Sequence, residues 1–391
     1  MDNTSEFRKI EALIPLSSKN INWEAFENTL LQPIFALMAK TQQNPLYHGE
    51  KDVFSHTKMV CEELIKLPEY IASSEKDKKI LFLSALLHDM GKIRCTVFED
   101  EVIKSPHHAS SGAIAAREFL WKKLSLCGSF ENQQLREAIC NLIRYHSFPP
   151  YAIKNERPEL RLLQIASTGE LSRDFSIEKL YILEKADAMG RICEDREEML
   201  ENIECCKLLS TEEDCFTAPF HFPDSFSKRA FFKQKTLWKN QTLYNDSWGE
   251  IILMSGLPGT GKDTVIKEYY SHLPMISLDE IRKEYKISPT GNQQKVVAIA
   301  HERARELLRK KQAFVWNATN ITEKIRASQI SLFEEYGASV KTLFLETGFD
   351  EELLRNESRE NAVPLRVIEN MLSVLTLPQS YECEKVEWRL I

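Results

Sequence analysis

The chain has no apolar run long enough to span a bilayer, which takes about 20 consecutive apolar residues. Its opening "MDNTSEFRKI" carries no apolar core of a secretory signal. Nine cysteines are present, an odd number, and none are spaced as CxxC. Cys205 and Cys206 are adjacent and cannot easily bridge each other, so the reading is free thiols in a reducing cytosol and a cytoplasmic protein. No internal repeat or low-complexity tract is present. The charge has no strong bias: 51 Lys and Arg stand against 58 Asp and Glu, a net of −7. That excludes a chain coated in nucleic acid but leaves room for a local basic groove.

What remains is an ordinary globular composition over 391 residues, enough for two or three domains. Up to about Glu204 the texture is helical: "KKILFLSALLHDMGK" and "LREAICNLIRYH" repeat apolar residues at helical spacing, and no alternating strand stands out. From Gly249 short apolar runs, "EIILMSG", "LPMIS", "AFVWNAT" and "VKTLFLE", alternate with helical patterns. Such alternation predicts βαβ units and a parallel sheet. The expected division is an all-α domain over 1–210, a junction over 211–248 and an α/β domain over 249–391. Residues 225–245 hold no acid, and interleave Lys228, Arg229, Lys233, Lys235 and Lys239 with Phe226, Phe231, Phe232, Trp238 and Tyr244. Such a stretch could grip a phosphate backbone and stack bases. The preferred reading is an amphipathic helix whose aromatics seal the domain junction.

In the helical part "LLHDMGK" sets His88 beside Asp89 in an apolar helix. Burying that pair is costly unless something binds both, and a divalent metal does so, because imidazole and carboxylate are good transition-metal ligands. His56 precedes the doublet; His108, His146 and Asp187 follow it in "SPHHASSGA", "LIRYHSF" and "KADAMGR". This order resembles the HD phosphohydrolase superfamily, an all-helical bundle, and is similar to the HD modules of tRNA nucleotidyltransferases over roughly residues 45–195. The resemblance implies His56, His88, Asp89 and Asp187 as core ligands, with His108 and His146 for a second metal or a phosphate. His108 is preferred to His107 because Gly112 and Ala113 then align. Lys92, and less firmly Arg191, would face phosphate. One or two divalent metals are implied, lowering the pKa of a water.

In the second part "EIILMSGLPGTGKDTVIKEYY" reads strand, glycine loop, helix, the context a phosphate-binding loop needs. Gly256, Pro258, Gly259, Thr260, Gly261, Lys262, Asp263 and Thr264 form the expected nucleotide cradle. Backbone N–H groups wrap the phosphates, and Lys262 reaches the β and γ phosphates. Asp263 stands where the pattern has Ser or Thr; carboxylate also binds Mg²⁺, so the loop should depend steeply on that ion. Asp279 and Arg282 sit one turn apart in "ISLDEIRKEY", and Arg355 and Arg359 fall on one helix face in "LLRNESRENAVP".

Together these residues resemble P-loop polynucleotide 5′-kinases over about 249–391. One reading of Asp279 and Arg282 makes Asp279 the acceptor of a substrate hydroxyl proton and sets Arg282 on a substrate phosphate; the other makes Asp279 an N-cap with Arg282 as its ion-pair partner. The resemblance implies Arg355 and Arg359 in a lid over ATP. Asn320 and Arg326 fit the pattern, Arg326 as a further phosphate contact; Asn317 departs from it, standing where such kinases often have Asp. The order of modules is similar to the bacterial HD-Pnk family of nucleic-acid end-healing enzymes. That likeness implies hydrolysis of a 2′,3′-cyclic or terminal phosphate by the HD domain. The other domain would phosphorylate a 5′-OH, with ATP or another NTP and Mg²⁺. The expected partners are RNA or DNA ends and a separate ligase, with no membrane. Two alternatives are an HD nucleotidase fused to a small-metabolite kinase, and an ATP-gated RNA-binding protein on a degenerate HD scaffold.

Overall fold

The computed structural model describes residues 3–17, 20–234, 237–288, 291–359 and 362–391. Lys235 of the basic–aromatic stretch, and Glu360 and Asn361 of the arginine-bearing run, lie outside them. The chain forms two compact units, Met1–Phe220 and His221–Ile391. Among the described residues no helix is long and apolar enough to cross a membrane.

The first unit is a helical bundle. At its centre runs Glu75–Leu87, buried on every side from Ile80 onward, as an all-round apolar sequence requires. Four helices around the later site begin at a side-chain cap. Asp52 accepts from Ser55 N at 2.9 Å ahead of Val53–Leu64, and Ser74 from Asp77 N at 3.1 Å ahead of the central helix. Ser129 accepts from Asn132 N ahead of Phe130–Tyr145, and Ser176 from Lys179 N ahead of Ile177–Met189, each at 3.2 Å. Each cap contributes about 1 kcal/mol and fixes where its helix starts. The helix His108–Lys122 lacks such a cap and is pinned otherwise. Its Arg117 donates to the buried Glu137 of Phe130–Tyr145 at 3.0 and 2.7 Å, and Arg136 donates to the same carboxylate at 2.8 Å. A buried ion pair of this kind fixes one register between two helices.

One element departs from expectation. Strands β1 (Val97–Glu99) and β2 (Val102–Lys104) pair antiparallel across Asp100 and Glu101, both at positive φ. The two strands are almost wholly exposed, so no inward face writes an alternating pattern into the sequence.

The second unit holds a five-stranded parallel sheet in the order β4 (Met275–Ser277), β5 (Val315–Asn317), β3 (Glu250–Ser255), β6 (Ser339–Glu346), β7 (Lys385–Leu390). Leu253 and Trp316 anchor an apolar cluster on one face, Met254 and Val315 on the other. The four apolar runs from Gly249 onward are β3 to β6, and β7 is a further edge strand. The architecture is thus a helical unit followed by an α/β P-loop unit. The basic–aromatic stretch opens this second unit as the helix Ser225–Lys233. Phe231 and Phe232 pack against Phe222, and Phe232 meets Tyr381. Arg229 forms a two-pronged pair with Glu334 at 2.7 and 3.0 Å. Ser225–Lys233 is thus an amphipathic helix packed on this unit, while Trp238 and Tyr244 beyond it are exposed.

Candidate metal centre and P-loop site

Helix ends deliver the HD side chains. His88 and His146 are the C-cap residues of Glu75–Leu87 and Phe130–Tyr145. Their Nδ1 atoms lie 2.8 Å from Ala85 O and 2.7 Å from Ile143 O, satisfying carbonyls that a helix end leaves free. His108 Nδ1 lies 3.0 Å from Ser105 O. A carbonyl only accepts, so each Nδ1 carries the proton and each Nε2 keeps its lone pair. His56 has a carboxylate in that role: Glu50 Oε1 lies 3.0 Å from its Nδ1.

All four Nε2 atoms converge on Asp89. Oδ2 of Asp89 is 3.7 Å from His56 Nε2 and 3.4 Å from His88 Nε2; Oδ1 is 3.6 Å from His108 and 3.8 Å from His146. Asp187 completes the first side, with Oδ1 2.8 Å from His56 Nε2. Two sets of ligand atoms result, each within 4.8 Å: His56, His88 and Asp187, and Asp89, His108 and His146. Both Asp89 oxygens are buried without a well-formed hydrogen bond. A buried carboxylate with imidazole nitrogens on both sides fits a divalent cation on either side of Asp89. His107 is exposed and stands outside the cluster.

The charges agree. Burial alone would raise Asp89 and Asp187, but Lys92 and His88 for Asp89, and Arg191 and His56 for Asp187, hold both well below the usual carboxylate range. Burial pushes His146 down to about 3 and lowers His108 as well, keeping both neutral as ligands must be. Lys92 is buried, with Nζ 2.7 Å from Asp89 Oδ2 and 2.6 Å from Gln43 Oε1. Arg191 donates to Asp187, Nε to Oδ1 at 3.2 Å. Both cations therefore sit on ligand carboxylates. Glu50 and Glu184 escaped the sequence reading. Glu50 also lies 2.7 Å from His48 Nδ1 and accepts from Ile192 N at 3.2 Å, which gives His48 a place in the shell around His56. Glu184, one turn before Asp187, is buried with both oxygens unpartnered; burial and the Asp187 charge raise its pKa far above the ordinary value. An acid six residues before His56 was the available signal for Glu50; Glu184 left none.

In the second unit, Gly256–Thr264 joins β3 to the helix Lys262–Tyr269. Gly256, Gly259 and Gly261 have φ of 141°, 89° and 82°, open to glycine and strained for other residues. Lys262 Nζ donates to Gly256 O at 2.9 Å and Leu257 O at 2.8 Å, closing the loop on itself. Asp263 Oδ1 accepts from Asn317 Nδ2 at 2.8 Å. Beside it a cavity of about 430 Å³ is lined by Asp263, Lys267, Tyr270, Asp279, Lys283 and Arg359, among others. Asp279 is exposed and pairs with Arg282 at 2.6 Å. Arg355 pairs with Glu351 at 2.7 Å; Arg359 lies past the end of the helix Phe349–Glu357 rather than on it. Arg326 does not reach the site. It is fully buried, donating to Glu382 at 2.7 and 2.8 Å, to Thr376 O at 2.7 Å and to Asn320 O at 3.2 Å. It braces the loop after β5, with four of its five N–H donors engaged inside the unit.

Residues 53–180 match the HD domain family and residues 251–378 match an AAA domain family. The HD match holds His56, His88, Asp89, His108 and His146 and stops short of Asp187, which the geometry supplies. No curated protein matches the chain. The protein is therefore an HD phosphohydrolase-type domain followed by a P-loop kinase-like domain.

Proposed function

We propose that the chain heals broken nucleic-acid ends: the HD unit hydrolyses a 2′,3′-cyclic or terminal 2′- or 3′-phosphate, and the P-loop unit phosphorylates a 5′-OH. The observation that carries the reading is the pairing of two phosphorus-directed sites in one chain. One is built on Asp89 between two imidazole sets, and the other on Lys262 beside a cavity that holds Asp279. Strand breakage that leaves a cyclic phosphate also leaves a 5′-hydroxyl, so one substrate supplies both sites; a separate ligase would then join the ends.

Divalent ions at the HD centre supply polarisation of a phosphoryl oxygen and a water of lowered pKa. His56, His88, Asp89 and Asp187 would hold one, and Asp89, His108 and His146 a second. The protein's own part is orientation: Nδ1 contacts aim every imidazole, Lys92 keeps Asp89 ionised, and Arg191 does so for Asp187. In the kinase, Lys262 leaves its two carbonyls for the β and γ phosphates. Asp279 accepts the hydroxyl proton, and Arg355 and Arg359 offset charge on the transferring group. The cavity's Tyr270 offers a stacking face, and Lys267 and Lys283 offer charge for a backbone phosphate.

The test is an RNA with a 5′-OH and a labelled 2′,3′-cyclic phosphate, incubated with metal and ATP. Wild type should process both ends. His88→Ala should lose only the 3′ reaction, and Lys262→Ala or Asp279→Ala only the 5′ reaction. Phosphorylation of free nucleosides but not of oligonucleotides would overturn the polynucleotide reading.

A further inference from the structure

The two departures from the P-loop pattern touch each other. P-loop enzymes set a Ser or Thr hydroxyl after the loop lysine and an Asp at the end of a neighbouring strand, both toward Mg²⁺. Here the loop position is Asp263, the strand-end position is Asn317, and Asn317 Nδ2 donates to Asp263 Oδ1 at 2.8 Å. We infer that this is a charge-exchanged pair: the carboxylate that serves the nucleotide's Mg²⁺ is carried by the loop, and Asn317 is the residue that positions it.

The electrostatics favour coupling over two separate accidents. Hydroxyl plus carboxylate and carboxylate plus amide both total one negative charge. An Asp at 317 facing Asp263 would set two anionic oxygens at hydrogen-bond distance, and position 317 is nearly covered, at 8 % exposure. A Ser at 263 facing Asn317 would leave the pair without a carboxylate. A carboxylate only accepts, so the amide nitrogen of Asn317 must face it. That nitrogen occupies one site on Oδ1; Oδ2 has no hydrogen bond among the described residues, and Asp263 is exposed and lines the cavity. Asn317 is itself fixed by its place in β5, in register with Ser277 of β4, so the carboxylate is tied to the sheet rather than left on a loop.

The inference rests on the P-loop reading and is independent of what accepts the phosphate. Its test is binding, with Mg²⁺-dependent displacement of a fluorescent ADP analogue by ATP, on full-length protein whose thermal melt is checked. Asp263→Ser should weaken Mg²⁺·ATP binding. Asn317→Ala should weaken it about fivefold beside Asp263 and less than about twofold beside Ser, the signature of residues that act as a unit. Adding Asn317→Asp to Asp263→Ser, an isosteric change at 317, should recover about tenfold or more of the loss. An equal effect of Asn317→Ala in both backgrounds, or no recovery in a folded double variant, overturns the pairing. So does wild-type binding that ignores Mg²⁺. Failure of wild type to bind nucleotide at all would instead remove the P-loop reading, and the pair with it.

Discussion

Of the four imidazoles at the HD centre, His88, His108 and His146 each set Nδ1 against a backbone carbonyl, whereas His56 lies between carboxylates, Nδ1 3.0 Å from Glu50 and Nε2 2.8 Å from Asp187. Glu50 is enclosed and shared between His56 and His48, so losing it removes both an aim and a charge. Outer-shell partners of ligating histidines are worth about 10–100-fold in metal affinity. Glu50→Ala is expected to lose metal in that range in a chelator competition, with Glu50→Gln losing less and the kinase reaction unchanged. A second residue-scale expectation concerns pH. Glu352 lies buried under the P-loop, its two oxygens unpartnered, and burial pushes its pKa from 4.5 to about 8, with Lys262 opposing and Glu346 assisting. The folded protein holds this proton after the unfolded chain has released it. Stability from this group is thus present at low pH and lost as pH rises between those two values. Glu352→Gln should melt with wild type near pH 5 and above it beyond about pH 8, without nucleotide; matching curves throughout would refute the assignment. The clustering of His56, His88, Asp89, His108, His146 and Asp187 was legible in the sequence because their types and order carry the chemistry. Glu50, Glu184 and the true place of Arg326 were not, because a carboxylate or guanidinium looks the same in sequence whether it faces solvent, a ligand or a buried partner.

Elements were legible where burial wrote a period. Ile80 to Leu87 announced a central helix, and β3 to β6 announced themselves as apolar runs. The β1–β2 hairpin wrote none, being exposed, and "KVEWRL" of β7 lies at a sheet edge, half-buried along its length, where mixed polarity hides a strand. Contact between elements was less visible still. Gly91 of "HDMGK" has an ordinary helical φ of −65°, so its conformation does not demand glycine. Its neighbours do: a Cβ there would fall 2.0 Å from His108 O and 2.5 Å from Gly112 N. The missing side chain lets the start of His108–Lys122 lie against the turn that carries Asp89. Gly91→Ala should therefore push His108 away from Asp89 and cost about 3 kcal/mol or more. The check is a thermal melt with metal analysis, expecting a lower transition and loss of metal while the P-loop reaction persists.

At the scale of the molecule, each unit has its own core and its own candidate site, and ligands stabilise only what binds them. The HD centre gathers buried carboxylates and imidazoles that a cation would satisfy, so metal should hold that unit together. The P-loop is closed over its own lysine, and nucleotide should stabilise that unit instead. A ligand at 100 times its dissociation constant adds about 2.7 kcal/mol to the unit it binds. In scanning calorimetry of the full chain, removing metal without nucleotide present should lower one transition, and adding Mg²⁺ with an ATP analogue should raise another. His88→Ala should erase the first response and keep the second; Lys262→Ala should do the converse. A single transition moved by both treatments, or either substitution erasing both responses, would mean that the two phosphorus-directed sites share one cooperative fold rather than two.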